Sequence, residues 1–229
     1  MKKSTGKDLD GFVERMIKAI VLDFDGVIVD SNALKHGAFF DLFPPTSEVT
    51  SAIAGILSRN RRDSRFEILR EILVHLGKSS SEIEVVLPSY AAEYNDRVQR
   101  GILDLGVEAD VKKTLVVLSS RYHLYINSGT YAPALLESVA KLDISNVFQK
   151  VYGRPPSKEN NLKDIMVTEK AVGREVVVVG DGEEDYDSAV ALDCRFIGVS
   201  NTFNNWREKQ FPLISNLTRL PELMTSLDA

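Results

Sequence analysis

Residues 19–31 read AIVLDFDGVIVDS: four apolar residues, Ala19–Leu22, run directly into Asp23, Asp25 and Gly26. A continuous apolar run this short suits a strand buried on both faces better than a helix. Residues i and i+2 of a strand share a face, so Asp23 and Asp25 project together. At the carboxyl end of a strand in a doubly wound sheet, that face opens onto the ligand crevice. Gly26 suits the sharp turn the chain must then make. Two close acids are unfavourable there unless a cation compensates them. The bland alternative is an acid pair that only caps a turn.

Further short apolar runs follow at Tyr122–Asn127, Val147–Tyr152, Val176–Val179 and Arg195–Val199. Helical patterns separate them at Ala132–Leu142, Leu162–Ala171 and Asp185–Leu192. Strands alternating with helices predict an α/β fold, a doubly wound parallel sheet with right-handed crossovers. The first connection breaks this rhythm. Residues 33–106 are too long for a simple crossover and carry only amphipathic helical patterns, at Ala33–Leu42, Val49–Leu57, Ser64–Leu76 and Ser81–Gly101. Another helix, Ala109–Leu118, returns to the sheet. The expected organisation is an extension over residues 1–16, a core built from 17–32 and 107–229, and a helical insert at 33–106. The Phe43–Pro45 turn and the Gly101–Gly106 segment are candidate boundaries. The tail, FPLISNLTRLPELM, reads as a last short strand and helix.

Composition narrows the function. The 229-residue chain is 44% hydrophobic with a net charge of −5, which supports a real core and no basic nucleic-acid footprint. One cysteine, Cys194, allows no internal disulfide and is expected to be a small core residue. The N-terminus lacks an apolar signal core and no run approaches a membrane span. A cytoplasmic protein is therefore expected, with no membrane, no nucleic acid and no obligate protein partner.

Three more segments carry chemistry. In LYINSGT, the Ser128 hydroxyl and the bare amide of Gly129 can hold an anion, although Ser-Gly is also an ordinary turn. Lys158, in GRPPSKENNL, would alone be a solvated charge. In VVVVGDGEEDYDSA a four-valine strand ends at Asp181, with Asp185 close behind. Hard oxygen ligands at a strand end suit magnesium. Acids favoured by a helix N-terminus explain Glu183 and Glu184 but not the strand-terminal Asp181.

Taken together and in order, DFDGVIVDS, INSGT, Lys158 and GDGEED resemble the haloacid dehalogenase superfamily. The resemblance covers about residues 17–225. SNALKHGAF and SRFEIL further resemble the hinge and the substrate-facing cap segment of its phosphoglycolate phosphatase and β-phosphoglucomutase branch. The long interval from Asp23 to Ser128 leaves room for a cap; the short one from Ser128 to Lys158 leaves almost none. The resemblance implies a Mg2+-dependent phosphatase acting on a small phosphorylated metabolite. Asp23 would be the nucleophile that forms an aspartyl-phosphate. Asp25 would be the general acid and base, a group that dehalogenases lack. Magnesium would be held by the Asp23 side chain, the Asp25 carbonyl and Asp181, with Asp185 orienting it. Ser128, Gly129 and Lys158 would hold the phosphoryl oxygens. Arg65, in the insert, would reach a second anionic group of the substrate. The run Arg59–Arg62 with Arg65 reads otherwise as a solvated helix face.

The chain departs from that branch in two places. Leu105-Gly106 stands where Pro-Gly often follows the cap, and Lys35, with His36 next to it, stands where the phosphoglucomutases carry a hinge histidine. A sugar phosphomutase is the alternative inside the superfamily. A phospho-receiver domain is the non-enzymatic rival, but it would place its phospho-acceptor at the third strand.

Overall fold

The computed structural model describes residues 17–59, 64–204, 206 and 210–227. The extension over 1–16 and residues 60–62 of the arginine run lie outside them. Six parallel strands form one sheet: β1 (Ala19–Leu22), β2 (His123–Tyr131), β3 (Lys150–Arg154), β4 (Val176–Gly180), β5 (Arg195–Val199) and β6 (Leu213–Ile214). Their order is β3-β2-β1-β4-β5-β6, so β1 is central.

The period-two alternation of these strands feeds two cores. Ile20, Leu22, Leu124, Ile126, Val177 and Val179 belong to one. Ala19, Val21, Tyr125, Val176 and Val178 belong to the other, where they meet Leu162 and Ile165 of α7 (Lys158–Glu169) and Ala189 of α8 (Glu183–Ala191). Burial on both faces is why the strands read as unbroken apolar runs.

Four helices stand between β1 and α5 (Ala109–Ser119): α1 (Asn32–Phe40), α2 (Ser47–Arg59), α3 (Arg65–His75) and α4 (Ser80–Leu105). Capping boxes start two of them: Ser64 with Glu67, and Ser79 with Glu82. Each box satisfies two backbone N–H groups that a helix start would otherwise leave open. Apolar faces at Ile53, Leu69, Ile72, Leu73 and Ile83 close the insert's interior.

Several sequence expectations need correction. The Phe43–Pro45 turn only joins α1 to α2 within the insert. Within the Gly101–Gly106 segment, Gly101 itself lies inside α4, where a Cβ would come within 2.5 Å of Leu34 Cδ1, so the bare position lets α1 and α4 pack this closely. The helix ends at the close of that segment, at Gly106, whose φ is +67°. The second strand runs past Asn127 to Tyr131, with a break in register. The third starts at Lys150, because Ser145–Val147 forms a 3-10 turn. Cys194 is half-buried rather than in the core. The tail forms β6 and α9 (Leu220–Leu227), and α6 (Ala132–Lys141) follows β2. Among the described residues no helix is long and apolar enough to cross a membrane.

Candidate active site

The strand order reverses direction at β1, so the crevice for a ligand opens beyond the carboxyl ends of β1 and β4. Asp23 and Asp25 follow β1, Ser128 and Gly129 lie in the last part of β2, Lys158 opens α7, Asp181 follows β4, and Asp185 lies in the first turn of α8. The fold thus delivers every core residue singled out in the sequence to one edge of the sheet.

Lys158 is not a solvated charge. It is 4% exposed, with Nζ 2.6 Å from Asp185 Oδ1 and 3.0 Å from Asp23 Oδ2. Its backbone is fixed as well: Asn127 Nδ2 donates to the Lys158 carbonyl at 2.9 Å, and Asn161 Nδ2 donates to Asn127 Oδ1 at 3.0 Å. Asp23, Asp181 and Asp185 each offer an oxygen within 4.8 Å of the others. Three carboxylates against one ammonium leave two negative charges uncompensated. Burial raises the Asp23 carboxyl above the usual range, against the pull of Lys158, and also raises Asp185, with the Asp23 charge adding to it. Burial and the Asp23 charge push Asp181 up to about 6, although Asn32 and Asn201 both donate to it. An all-oxygen donor set that lacks two positive charges fits a small hard divalent cation.

Asp25 is held differently. Ser31 Oγ donates to its Oδ1 at 2.6 Å, and Thr130 Oγ1 donates to its Oδ2 at 2.9 Å. Lys35 Nζ stands 2.5 Å from the same Oδ2. Ser31 is the N-cap of α1 but makes no side-chain cap bond, since its hydroxyl serves Asp25 instead. Burial raises the Asp25 carboxyl, but Lys35 and the two hydroxyls more than offset this, and it titrates below its ordinary range. Its carboxylate therefore lies outside the acidic cluster, and only its carbonyl is left for the metal role the sequence assigns it. The Ser128 hydroxyl is buried beside Asp25 and accepts from the Thr130 amide at 3.1 Å.

Arg65 opens α3 and is only half-buried, yet its Nε is buried without a hydrogen-bond partner. Its guanidinium lies over the ring of Phe66, 4.7 Å from the centroid, while Tyr94 donates to the Lys35 carbonyl at 3.2 Å. Neighbouring Arg59 instead pairs with Glu71 at 2.9 Å.

The family model for haloacid dehalogenase-like hydrolases matches residues 20–199, which include each of the core site residues. The chain belongs to this family. No curated protein sequence matches significantly. Solved structures of the family share the fold. A predicted phosphoglycolate phosphatase from Haemophilus somnus is 16% identical, with TM-score 0.69 over 93% of this chain and 99% of its own. A β-phosphoglucomutase from Clostridium difficile is 19% identical, with TM-score 0.70 over 93% and 97%. A 2-haloacid dehalogenase from Pseudomonas syringae pv. tomato is 19% identical, with TM-score 0.60 over 92% and 99%. Identities this low speak for the fold alone.

The site of this hydrolase also contains residues that the sequence did not single out: Asn127, Thr130, Asn161, Asn201 and Asn204. Asn201 and Asn204 follow β5, and Thr130 lies two positions after Ser128 in β2. Their places at carboxyl strand ends were the available signal. Their residue types were not, because Asn and Thr are common in any loop.

Proposed function

We propose that this hydrolase is a Mg2+-dependent phosphatase of a small phosphorylated metabolite. The observation that carries the reading is the second acid. Asp25 lies at the crevice with its own hydroxyl partners and its own lysine, apart from the acidic cluster. A second carboxyl at this place can carry the proton that expelling an alkoxide requires and expelling a halide does not; the Lys35 pair favours its ionised form in the free site, so it takes up that proton with substrate bound.

Asp23 attacks phosphorus while the ester oxygen leaves with a proton from Asp25. Water, deprotonated by Asp25, then hydrolyses the aspartyl-phosphate and regenerates Asp23. Ser128, the Gly129 amide and Lys158 hold the phosphoryl oxygens. Asp23, Asp181, Asp185 and the Asp25 carbonyl would hold the cation, which when bound shields the phosphoryl charge from the attacking carboxylate. The segment α1–α4 acts as a lid that excludes water during the first step, and Arg65 meets a second anionic group of the substrate.

The test is a screen of phosphorylated metabolites and p-nitrophenyl phosphate with Mg2+, run beside Asp23→Asn. Activity should require the metal and fall by several powers of ten in the variant. More than about one per cent of activity surviving would remove Asp23 as nucleophile, since loss of a covalent route costs far more than that. Transfer between hydroxyls of one sugar, without release of phosphate, would assign a mutase instead.

A further inference from the structure

The loop after β5, Ser200-Asn201-Thr202-Phe203-Asn204, has no part in the phosphoryl chemistry above, yet it closes on Asp181. Asn201 Nδ2 donates to Asp181 Oδ2 at 2.7 Å, and Asn32 Nδ2 donates to the same oxygen at 2.6 Å. Asn204 Nδ2 donates to the Asp181 carbonyl at 3.0 Å and to the Val199 carbonyl at 2.8 Å. The two asparagines also lock each other. Asn204 Oδ1 accepts from the Asn201 amide at 3.2 Å, and Asn201 Oδ1 accepts from the amides of Phe203 and Asn204 at 2.8 and 3.1 Å. Buried Trp206 ties the far side of the loop down through Nε1 to the Val199 carbonyl at 3.2 Å.

The same loop touches the insert. The Phe203 ring packs on His36 of α1 with centroids 5.4 Å apart, and Asn32 is the first residue of that helix. Helix α1 and the loop therefore meet each other and also meet at one carboxylate oxygen.

We propose that Asn201, braced by Asn204, is a positioning residue that fixes the Asp181 carboxylate for its cation, and that the Phe203–His36 contact ties this grip to α1. The proposal rests on Asp181 being a cation ligand. Two amides on one oxygen set the rotation of the carboxylate. With one removed, the carboxylate must be ordered by the cation itself, and outer partners of this kind alter metal affinity by about 10- to 100-fold. A loop that merely anchored β5 would change stability and leave metal affinity alone.

The experiment is calorimetric titration of the whole chain with Mg2+ alone, with thermal melting of each variant. Asp181→Ala should abolish the binding heat. Asn201→Ala should bind about tenfold more weakly and still melt cooperatively; Asn201→Leu, close in volume, serves if the alanine variant does not fold. Phe203→Ala should also weaken binding, and Phe203→Tyr, which keeps the ring on His36, should restore it. Wild-type affinity in both Asn201 variants, with Asp181→Ala dead, would overturn the positioning role and leave the metal site standing. Unchanged binding in Asp181→Ala would overturn the metal reading, and this proposal with it.

Discussion

The acidic cluster makes a prediction about stability that needs no substrate. In metal-free protein Asp181 titrates at about 6, against 3.8 for an ordinary aspartate. Between these values the folded chain holds a proton that the unfolded chain has released. Stability must then fall as pH rises through this window and recover as pH is lowered. Integrated from pH 7 to pH 5, this one group contributes about 1 kcal/mol in favour of the lower pH, since a full pKa unit is worth about 1.4 kcal/mol. For a chain of this size that is a rise of roughly 3 °C in melting temperature. Asp23 and Asp185 are raised too and act in the same direction. Asp25 is lowered, so its effect falls below the ordinary aspartate range, outside the window. His36 opposes the trend: burial shifts it down, and its contribution is lost as pH falls through the histidine range. The measurement is therefore differential scanning calorimetry in chelator at pH 7 and pH 5, in wild type and in His36→Gln. Saturating Mg2+ should raise the melting temperature more at pH 7 than at pH 5, because protons and metal compete for the same oxygens. A melting temperature that is flat or falls from pH 7 to pH 5 in chelated His36→Gln would refute the reasoning.

Three substitutions extend the test. Gly26→Ala places a Cβ 2.2 Å from Asp181 Oδ2 and 2.3 Å from Asn32 Nδ2 at a φ of +77°; denaturant unfolding should show a loss of about 1–3 kcal/mol, and Mg2+ titration a weaker site. Lys158→Met strips the buried carboxylates of their single ammonium, so metal-free protein should lose on the order of 3 kcal/mol in urea and turnover should vanish. Arg65→Ala should depress activity on the best metabolite found by screening while sparing p-nitrophenyl phosphate; equal losses on both would remove Arg65 from substrate recognition.

The sheet was legible because its strands are buried on both faces, so Ala19–Leu22 and Val176–Val179 announce themselves by composition alone. Asp23, Asp25 and Asp181 were legible for a related reason: a carboxylate that ends an apolar strand has few structural explanations. Lys158 was ambiguous by itself, since nothing local distinguishes a lysine at a helix start from a solvated one, and only the distant Asp23 and Asp185 give it meaning. Which glycine of the Gly101–Gly106 segment ends the helix was not legible, because glycine signals both a turn and a close approach, and Leu34, which decides for Gly101, lies far away in sequence. The asparagines around Asp181 were hidden because hydrogen-bond partners brought together by folding leave no periodic trace.

The apolar interior beneath the sheet does not stop at the insert. Phe24, Val27 and Ile28, in the turn after the nucleophile strand, join the same buried cluster as Phe39, Ile53 and Leu69. Gln99 of α4 adds polar stitches to α6, donating to the Ala134 carbonyl at 2.9 Å and accepting from Ser138 Oγ at 2.6 Å. A lobe seated this way cannot lift free without wetting hydrocarbon. Heat should therefore melt seat and lobe as one cooperative body.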